Sequence, residues 1–436
     1  MVAGILLGSL ALGAATLGLA ATRAASTDAG AAGAAASLAV KARAVPVATA
    51  PESPIPADGR QAQWYHDSLR LAEAHRITRG EGVIVAIIDG GVDATHPKLA
   101  GQLLRGAGVG ADAAPDGWRD DDPDGHGTAM AGLVVARQDV GNPRVWGVAP
   151  GAKVLPISTG SEADAEEVAQ SIRLAVDMGA DVISMSLGSE DPPSAAERRA
   201  VDYALSHDVV VVASAGNTGS GDTRVNSPAN IPGVIAVTGS DSRGLFWGGS
   251  VQGPEAVLAA PGPGIRTPVP TRVSSDGLDT GGGTSNSAAI VAGVAALVRA
   301  AMPELDAANV INRLIRTAVD KGPVGRDPQY GFGVVNPLGA LTAELPLVRE
   351  NPLLSPPTLD SLTEQGGLTP PGDAPAPASG TTDRPGSAEA APAGESGETA
   401  TGSEDPSLLA WAAALGLAVS AGILLGGAAH TLGSRA

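Results

Sequence analysis

The stretch Val83-Ile84-Val85-Ala86-Ile87-Ile88 is apolar at every position, mostly β-branched, and ends abruptly at Asp89. A strand with one wet face would alternate polar and apolar residues, so a run without alternation predicts a strand covered on both sides, as in a parallel sheet. Similar strands are predicted at Lys153–Ile157, Asp181–Leu187, Val209–Ser214 and Gly233–Val237. Helical stretches fall between them: Glu166–Met178, with Val168, Ile172 and Val176 on one stripe, and Ala195–Ser206. Alternation of this kind predicts an α/β fold over residues 61–347, a doubly wound, mostly parallel sheet with helices on both faces. In such folds the functional groups belong beyond the carboxyl ends of the strands.

The chain of 436 residues is longer than one such core needs. Residues 1–26 begin with an uncharged Ala/Leu/Gly-rich run and read as a signal peptide or N-terminal apolar segment. Residues 27–60 are an Ala- and Pro-rich extension, near the lower limit for an independent core, expected to lie on or near the folded domain. Residues 348–406 are rich in proline and acid, and such a segment buries too little apolar surface to offset its ordering entropy, which predicts a solvated linker. The apolar stretch 407–430 is long enough, at about 1.5 Å per residue, to cross a bilayer as a helix. Arg435 follows it and Glu404 and Asp405 precede it, so the positive-inside rule places residues 431–436 in the cytoplasm and the folded domain outside. A net charge of −18 argues against nucleic-acid binding, and the lack of cysteine excludes disulfides, thiolate nucleophiles and Cys-ligated metals.

Three residues in the folded region sit where chemistry is expected. Asp89 ends the first strong strand and is followed by Gly90-Gly91. His126 lies in Asp124-Gly125-His126-Gly127-Thr128, and Ser285 follows Gly281-Gly282-Gly283-Thr284 at the head of the apolar stretch Asn286–Ala300. Taken singly, each has a plain structural explanation: a turn aspartate, a hydrogen-bonded loop histidine, an N-cap serine. Together they stand in the order Asp, His, Ser, one of the chain orders known for a catalytic triad. The order of the α/β-hydrolases needs a histidine after the serine, and only His430 follows Ser285. A phosphate-binding loop at Gly281–Gly283 is excluded because no lysine follows it.

At these residues the sequence resembles the subtilases, the subtilisin-like serine proteases. The resemblance rests on Ile88-Asp89-Gly90-Gly91-Val92-Asp93, Gly125-His126-Gly127-Thr128, Gly147-Val148-Ala149-Pro150-Gly151, Ser186-Leu187-Gly188, Ala213-Ser214-Ala215-Gly216-Asn217, Ala259-Ala260-Pro261-Gly262 and Gly283-Thr284-Ser285. It implies Ser285 as nucleophile, His126 as general base, Asp89 as the carboxylate orienting the imidazole, and an oxyanion hole made by Asn217 and the Ser285 backbone N–H. It further implies that an extended peptide substrate pairs with the strand edges Ser186-Leu187-Gly188 and Ser214-Ala215-Gly216. Gly90, Ala129 and Ala289 depart from the family pattern without replacing a triad residue. The layout is similar to that of the mycosins of type VII secretion systems, which implies secretion-system membrane components as partners and a catalytic domain held outside the cell membrane. No cofactor is expected; structural calcium occurs in many subtilases, but Asp93, Asp120–Asp122 and Asp124 form no spaced ligand motif. The alternative function is a catalytically idle subtilase-fold scaffold that binds a secretion partner.

Overall fold

The structure is a computed structural model that describes residues 41–44 and 63–354. The segments read as signal peptide, terminal helix and cytoplasmic tail, with most of the N-terminal extension and of the linker, lie outside the described residues.

The strands are β1 (Lys41–Ala44), β2 (Ile84–Asp89), β3 (Ala107–Gly108), β4 (Lys153–Ser158), β5 (Ala163–Asp164), β6 (Val182–Met185), β7 (Leu187–Gly188), β8 (Val210–Ser214), β9 (Ile235–Ser240), β10 (Leu258–Pro261), β11 (Ile265–Pro268) and β12 (Leu278–Gly281). The helices are α1 (Trp64–Ser68), α2 (Leu71–Ala74), α3 (His126–Val135), α4 (Ala165–Asp177), α5 (Ala195–Ser206), α6 (Thr284–Ala301), α7 (Ala307–Arg316) and α8 (Pro337–Thr342). Seven strands form one sheet in the order β10-β9-β8-β6-β2-β4-β3, and every neighbouring pair is parallel. The doubly wound parallel fold read from the sequence is the one observed.

Central strand β2 is buried from Val85 to Asp89, as its lack of alternation requires. Helices α3 and α6 pack together against the sheet, and α4 packs on α5. Both α4 and α5 begin with a reciprocal cap: Asp164 with Glu167 and Ser194 with Glu197 each satisfy the other's backbone N–H, which fixes where the helices start. Helix α6 is buried from Thr284 to Arg299 and is rich in Ala, Ser and Gly, so neighbouring backbone comes close; a Cβ on Gly293 would lie 2.7 Å from Val148 Cβ. Among the described residues it is the one helix long and apolar enough to cross a membrane, and 89% of its apolar window is inside the protein. The fold also continues past Leu347, where the linker was expected to start. Asn351 is buried and donates to Gly233 O (3.2 Å), and Asn309 Oδ1 accepts the Val348 N–H.

Connectivity places the site. From β2 the chain crosses to β4 on one side and then returns to β6 on the other, so the loops leaving β2 and β6 run apart and open a crevice at their carboxyl ends. A second, three-stranded sheet, β5-β1-β7, stands at this end, with β1 antiparallel to both neighbours.

Candidate active site

Asp89 closes β2 and His126 opens α3, and the two side chains meet in the crevice. His126 Nδ1 lies 2.9 Å from Asp89 Oδ2 and 3.0 Å from Oδ1, with both side chains about 1% exposed. A carboxylate accepts only, so Nδ1 carries the proton and Nε2 is left as a bare acceptor in the neutral ring. Gly127 makes the approach possible: a Cβ there would fall 2.1 Å from Gly91 O and 3.2 Å from Asp89 Cβ. Burial alone would depress the pKa of His126, but the charge of Asp89 and its hydrogen bond outweigh burial, Asp122 and Asp120 add to them, and the net result is a pKa raised to about 9.

The acidic loop before α3 is organised around the helix start. Asp120 Oδ2 accepts from Thr128 N (2.8 Å) and Thr128 Oγ1, and Asp122 Oδ1 accepts from Asp124 N (2.7 Å) and, more loosely, from His126 N (3.4 Å). Arg272, reaching in from the loop between β11 and β12, donates to the carbonyls of Asp120, Asp122 and Pro123. Burial, against the pull of the Thr128 hydrogen bonds, raises the pKa of Asp120 to about 7, with Asp89 and Asp122 contributing. Of the carboxylates considered as calcium ligands, those of Asp120 and Asp122 are thus engaged by the chain itself, and among the described residues no group of three or more His, Asp or Glu side chains is placed to hold a metal ion.

Asn217 follows β8. Gly216 takes the left-handed backbone (φ +113°) while Asn217 is extended, so the asparagine is not there to make the turn. Its Oδ1 accepts from Thr284 N (2.9 Å) and Thr284 Oγ1 (3.2 Å), which fixes the orientation of the amide and leaves Nδ2 as its donor. Ser285 is the second residue of α6, 3% exposed, and its Oγ lies 3.5 Å from Ser186 O. It makes no hydrogen bond to His126, whose Nε2 is buried without a partner. Such contacts are often loose in resting sites and tighten with substrate. The structure therefore joins Asp89 to His126 and Asn217 to the head of α6, and leaves the Ser285–His126 contact unmade.

The predicted substrate edges divide. Leu187–Gly188 is an edge in pairing use, since β7 runs antiparallel to Arg43–Ala44, and Ser186 Oγ donates to Ser285 O (3.2 Å). Ser214, Ala215 and Gly216 are not a free edge. Ser214 lies within β8; Ala215 N donates to Val237 O and its carbonyl accepts Asn226 N, and Gly216 O accepts Val251 N while Gly216 N donates to Thr284 Oγ1. The second edge that pairs with this segment is Ala163–Asp164, against Lys41–Ala42. Two residues without periodicity carry no strand signal, so only the fold could reveal it.

Sequence reasoning also passed over Asn226. It is 1% exposed, and neither atom of its carboxamide has a hydrogen-bond partner of ordinary geometry. It stands behind the two glycines of the predicted edges: a Cβ on Gly188 would be 3.0 Å from Asn226 Cβ, and one on Gly216 would be 2.9 Å from both Asn226 Nδ2 and Asp222 Oδ2. Burial raises the pKa of Asp222 against the opposing pull of the Asn217 N–H and the nearby Asn226 amide. An asparagine after a loop gives no sign in sequence that its amide will be buried.

Residues 80–333, which hold Asp89, His126, Asn217 and Ser285, match the subtilase family, Peptidase_S8. The chain belongs to the subtilases. Among subtilase relatives, it is 35% identical over 295 residues to fervidolysin of Fervidobacterium pennivorans, a match covering 61% of this chain and 42% of that protein. Mycosin-4 of Mycobacterium tuberculosis is 34% identical over 316 residues, covering 63% of this chain and 68% of that one. The crystal structure of MycP1 with its N-terminal propeptide removed superposes with a TM-score of 0.56 at 30% identity, over 65% of this chain and 98% of that one. Mycosins are thus among its homologues.

Proposed function

We propose that this subtilase is a membrane-anchored, extracytoplasmic serine endopeptidase. The observation that carries the reading is the buried Asp89–His126 pair beside the helix whose second residue is Ser285. Ser285 Oγ attacks the scissile carbonyl carbon as His126 Nε2 takes its proton, and Asp89 stabilises the resulting imidazolium. The oxyanion is held by Asn217 Nδ2 and the Ser285 N–H; the C–N bond then breaks as His126 returns the proton to the leaving amine, and water cleaves the acyl-enzyme by the same steps in reverse. A fluorophosphonate should label the full chain, with the adduct on Ser285 by peptide mass spectrometry. A folded chain that took no label, or took it elsewhere, would overturn the assignment. Anchoring rests on the length of the 407–430 stretch and its charged flanks, and association with type VII secretion on the mycosin homologues. Extraction of the full chain from membranes by alkaline carbonate would refute the anchor.

The slot between β5 and β7 is where a peptide substrate is proposed to add as a strand, and Lys41–Ala44 already pairs there. A tethered segment competes at an effective concentration near millimolar. A chain beginning at Gln61 is therefore expected to fold and to show a KM for short peptides several-fold below that of the full chain, with kcat little changed. Equal KM values would show that the segment does not compete.

Asn226 is proposed to meet the substrate side chain next to the cleaved bond, an amide where an apolar or small pocket was expected. Asn226→Leu should leave the melting temperature little changed, because the buried amide has no hydrogen bond of ordinary geometry and gives up only its weak pull on Asp222 when an apolar group of similar shape replaces it. The preference for peptides with Gln or Ser at that position over Leu should drop by on the order of tenfold. An unchanged ratio of kcat/KM values would remove Asn226 from the specificity site.

A further inference from the structure

Lys98 has no part in the crevice chemistry, yet its ammonium is enclosed by the chain. The side chain is 2% exposed, and Nζ lies 3.0 Å from Arg137 O, 2.6 Å from Val140 O, 2.7 Å from Asn142 O and 2.7 Å from Val145 O. An ammonium has three N–H groups, so four carbonyls at these distances surround it as oxygens surround a cation rather than as three separate hydrogen bonds. The carbonyls all come from the loop that leaves α3. That loop is tied to Lys98 again through Arg137 N to Lys98 O (2.9 Å), and it returns onto the end of α3 through Gly147 N to Ala136 O and Val148 N to Leu133 O. Burial presses the Lys98 pKa down to about 8 while Asp139 opposes it, so the group is charged at neutral pH. Asp139 is itself exposed and paired with Arg137.

Inward-facing carbonyls repel one another, so a loop of this shape needs a cation or donors at its centre. Bound metal ions with oxygen ligands commonly fill that role. Here the chain's own side chain does so. We propose that Lys98 is a built-in cation that closes the 137–145 loop without a metal, and that its carbonyl cage becomes a site for a small monovalent cation when the side chain is shortened.

The test uses the full chain carrying Ser285→Ala to prevent self-cleavage, and follows both the thermal midpoint and added-trypsin nicking at Arg137 and Arg144. In the Lys98-containing chain, excess chelator or millimolar calcium should alter neither nicking nor the midpoint. Lys98→Ala should lower the midpoint by roughly 10 °C in tetramethylammonium chloride and expose the loop to trypsin, since removing one member of a buried charged network leaves its partners unsatisfied. Ammonium or potassium chloride at the same ionic strength should restore a large part of both. Lys98→Met fills the cage with an uncharged chain of similar length and should not be restored by either salt. The proposal fails if chelator exposes the loop in the Lys98-containing chain, or if Lys98→Met is as stable and as resistant as the parent. Those two measurements decide it even if Lys98→Ala does not fold.

Discussion

Ser285→Ala is expected to lose peptide hydrolysis and fluorophosphonate labelling together, with the melting temperature nearly unchanged. In subtilisin, a relative, loss of the nucleophile lowers turnover by about 10⁶, and the same scale is expected here because Asp89, His126 and Asn217 would be left with nothing to activate. The fold should tolerate the change: Oγ makes only a 3.5 Å contact with Ser186 O, and neighbouring Ala288 and Ala289 show that α6 accepts alanine. Kinetics and calorimetry on the same preparation check this. Hydrolysis by the alanine variant within a factor of about 100 of the parent would mean that another group attacks the peptide.

Asp89→Asn should cost about 10⁴ in kcat, since an amide can hold the imidazole in the wrong tautomer and cannot stabilise its charge. It should also move the pH profile. Below the pKa of His126 the ring is protonated and cannot take the Ser285 proton, so kcat/KM of the parent should climb as pH rises toward about 9, the value to which Asp89 lifts the ring against the opposing effect of burial. Removing the carboxylate takes away the largest favourable contribution and leaves burial in place, so the acid limb of the residual activity must shift to lower pH. Asp120, with its pKa near 7, changes charge within the same range, so the limb belongs to the coupled group rather than to His126 alone. A limb that stayed in place in the Asp89→Asn enzyme would contradict the role given to Asp89.

What could be read from the residues alone follows from how local each signal is. Val83–Ile88 announces a doubly covered strand because burial on both faces removes all alternation, and Asp164 with Glu167 marks a helix start because both partners lie within one turn. The Asp89, His126 and Ser285 motifs are short glycine-bounded stretches whose order alone is informative. Ser214–Gly216 shows where this stops: a motif gives the neighbourhood of a segment but not which of its backbone groups are already engaged, and those partners, Val237, Val251 and Thr284, are distant in sequence. Lys98 and Asn226 were illegible for the same reason. Nothing beside them in the chain distinguishes a caged ammonium or a stranded amide from an ordinary surface residue, because the carbonyls that enclose Lys98 are 39 or more residues away and the glycines against Asn226, Gly216 and Gly188, are not its neighbours in sequence.

Helix α6 bears on how the chain must be made. Its 18 residues have a mean hydropathy of 1.3 and a lone charge, Arg299, near the end, so in a chain exported as proposed, a channel that opens sideways to lipid would meet a segment close to those it releases into the bilayer. Only the folded sheet gives this helix a better place to be. Unfolding beside a membrane should therefore be harder to reverse than unfolding in buffer, since lipid competes for the helix that carries Ser285. Refolding yield measured with and without neutral lipid vesicles is expected to be lower with them, and equal yields would show that the core recaptures α6 faster than the bilayer can.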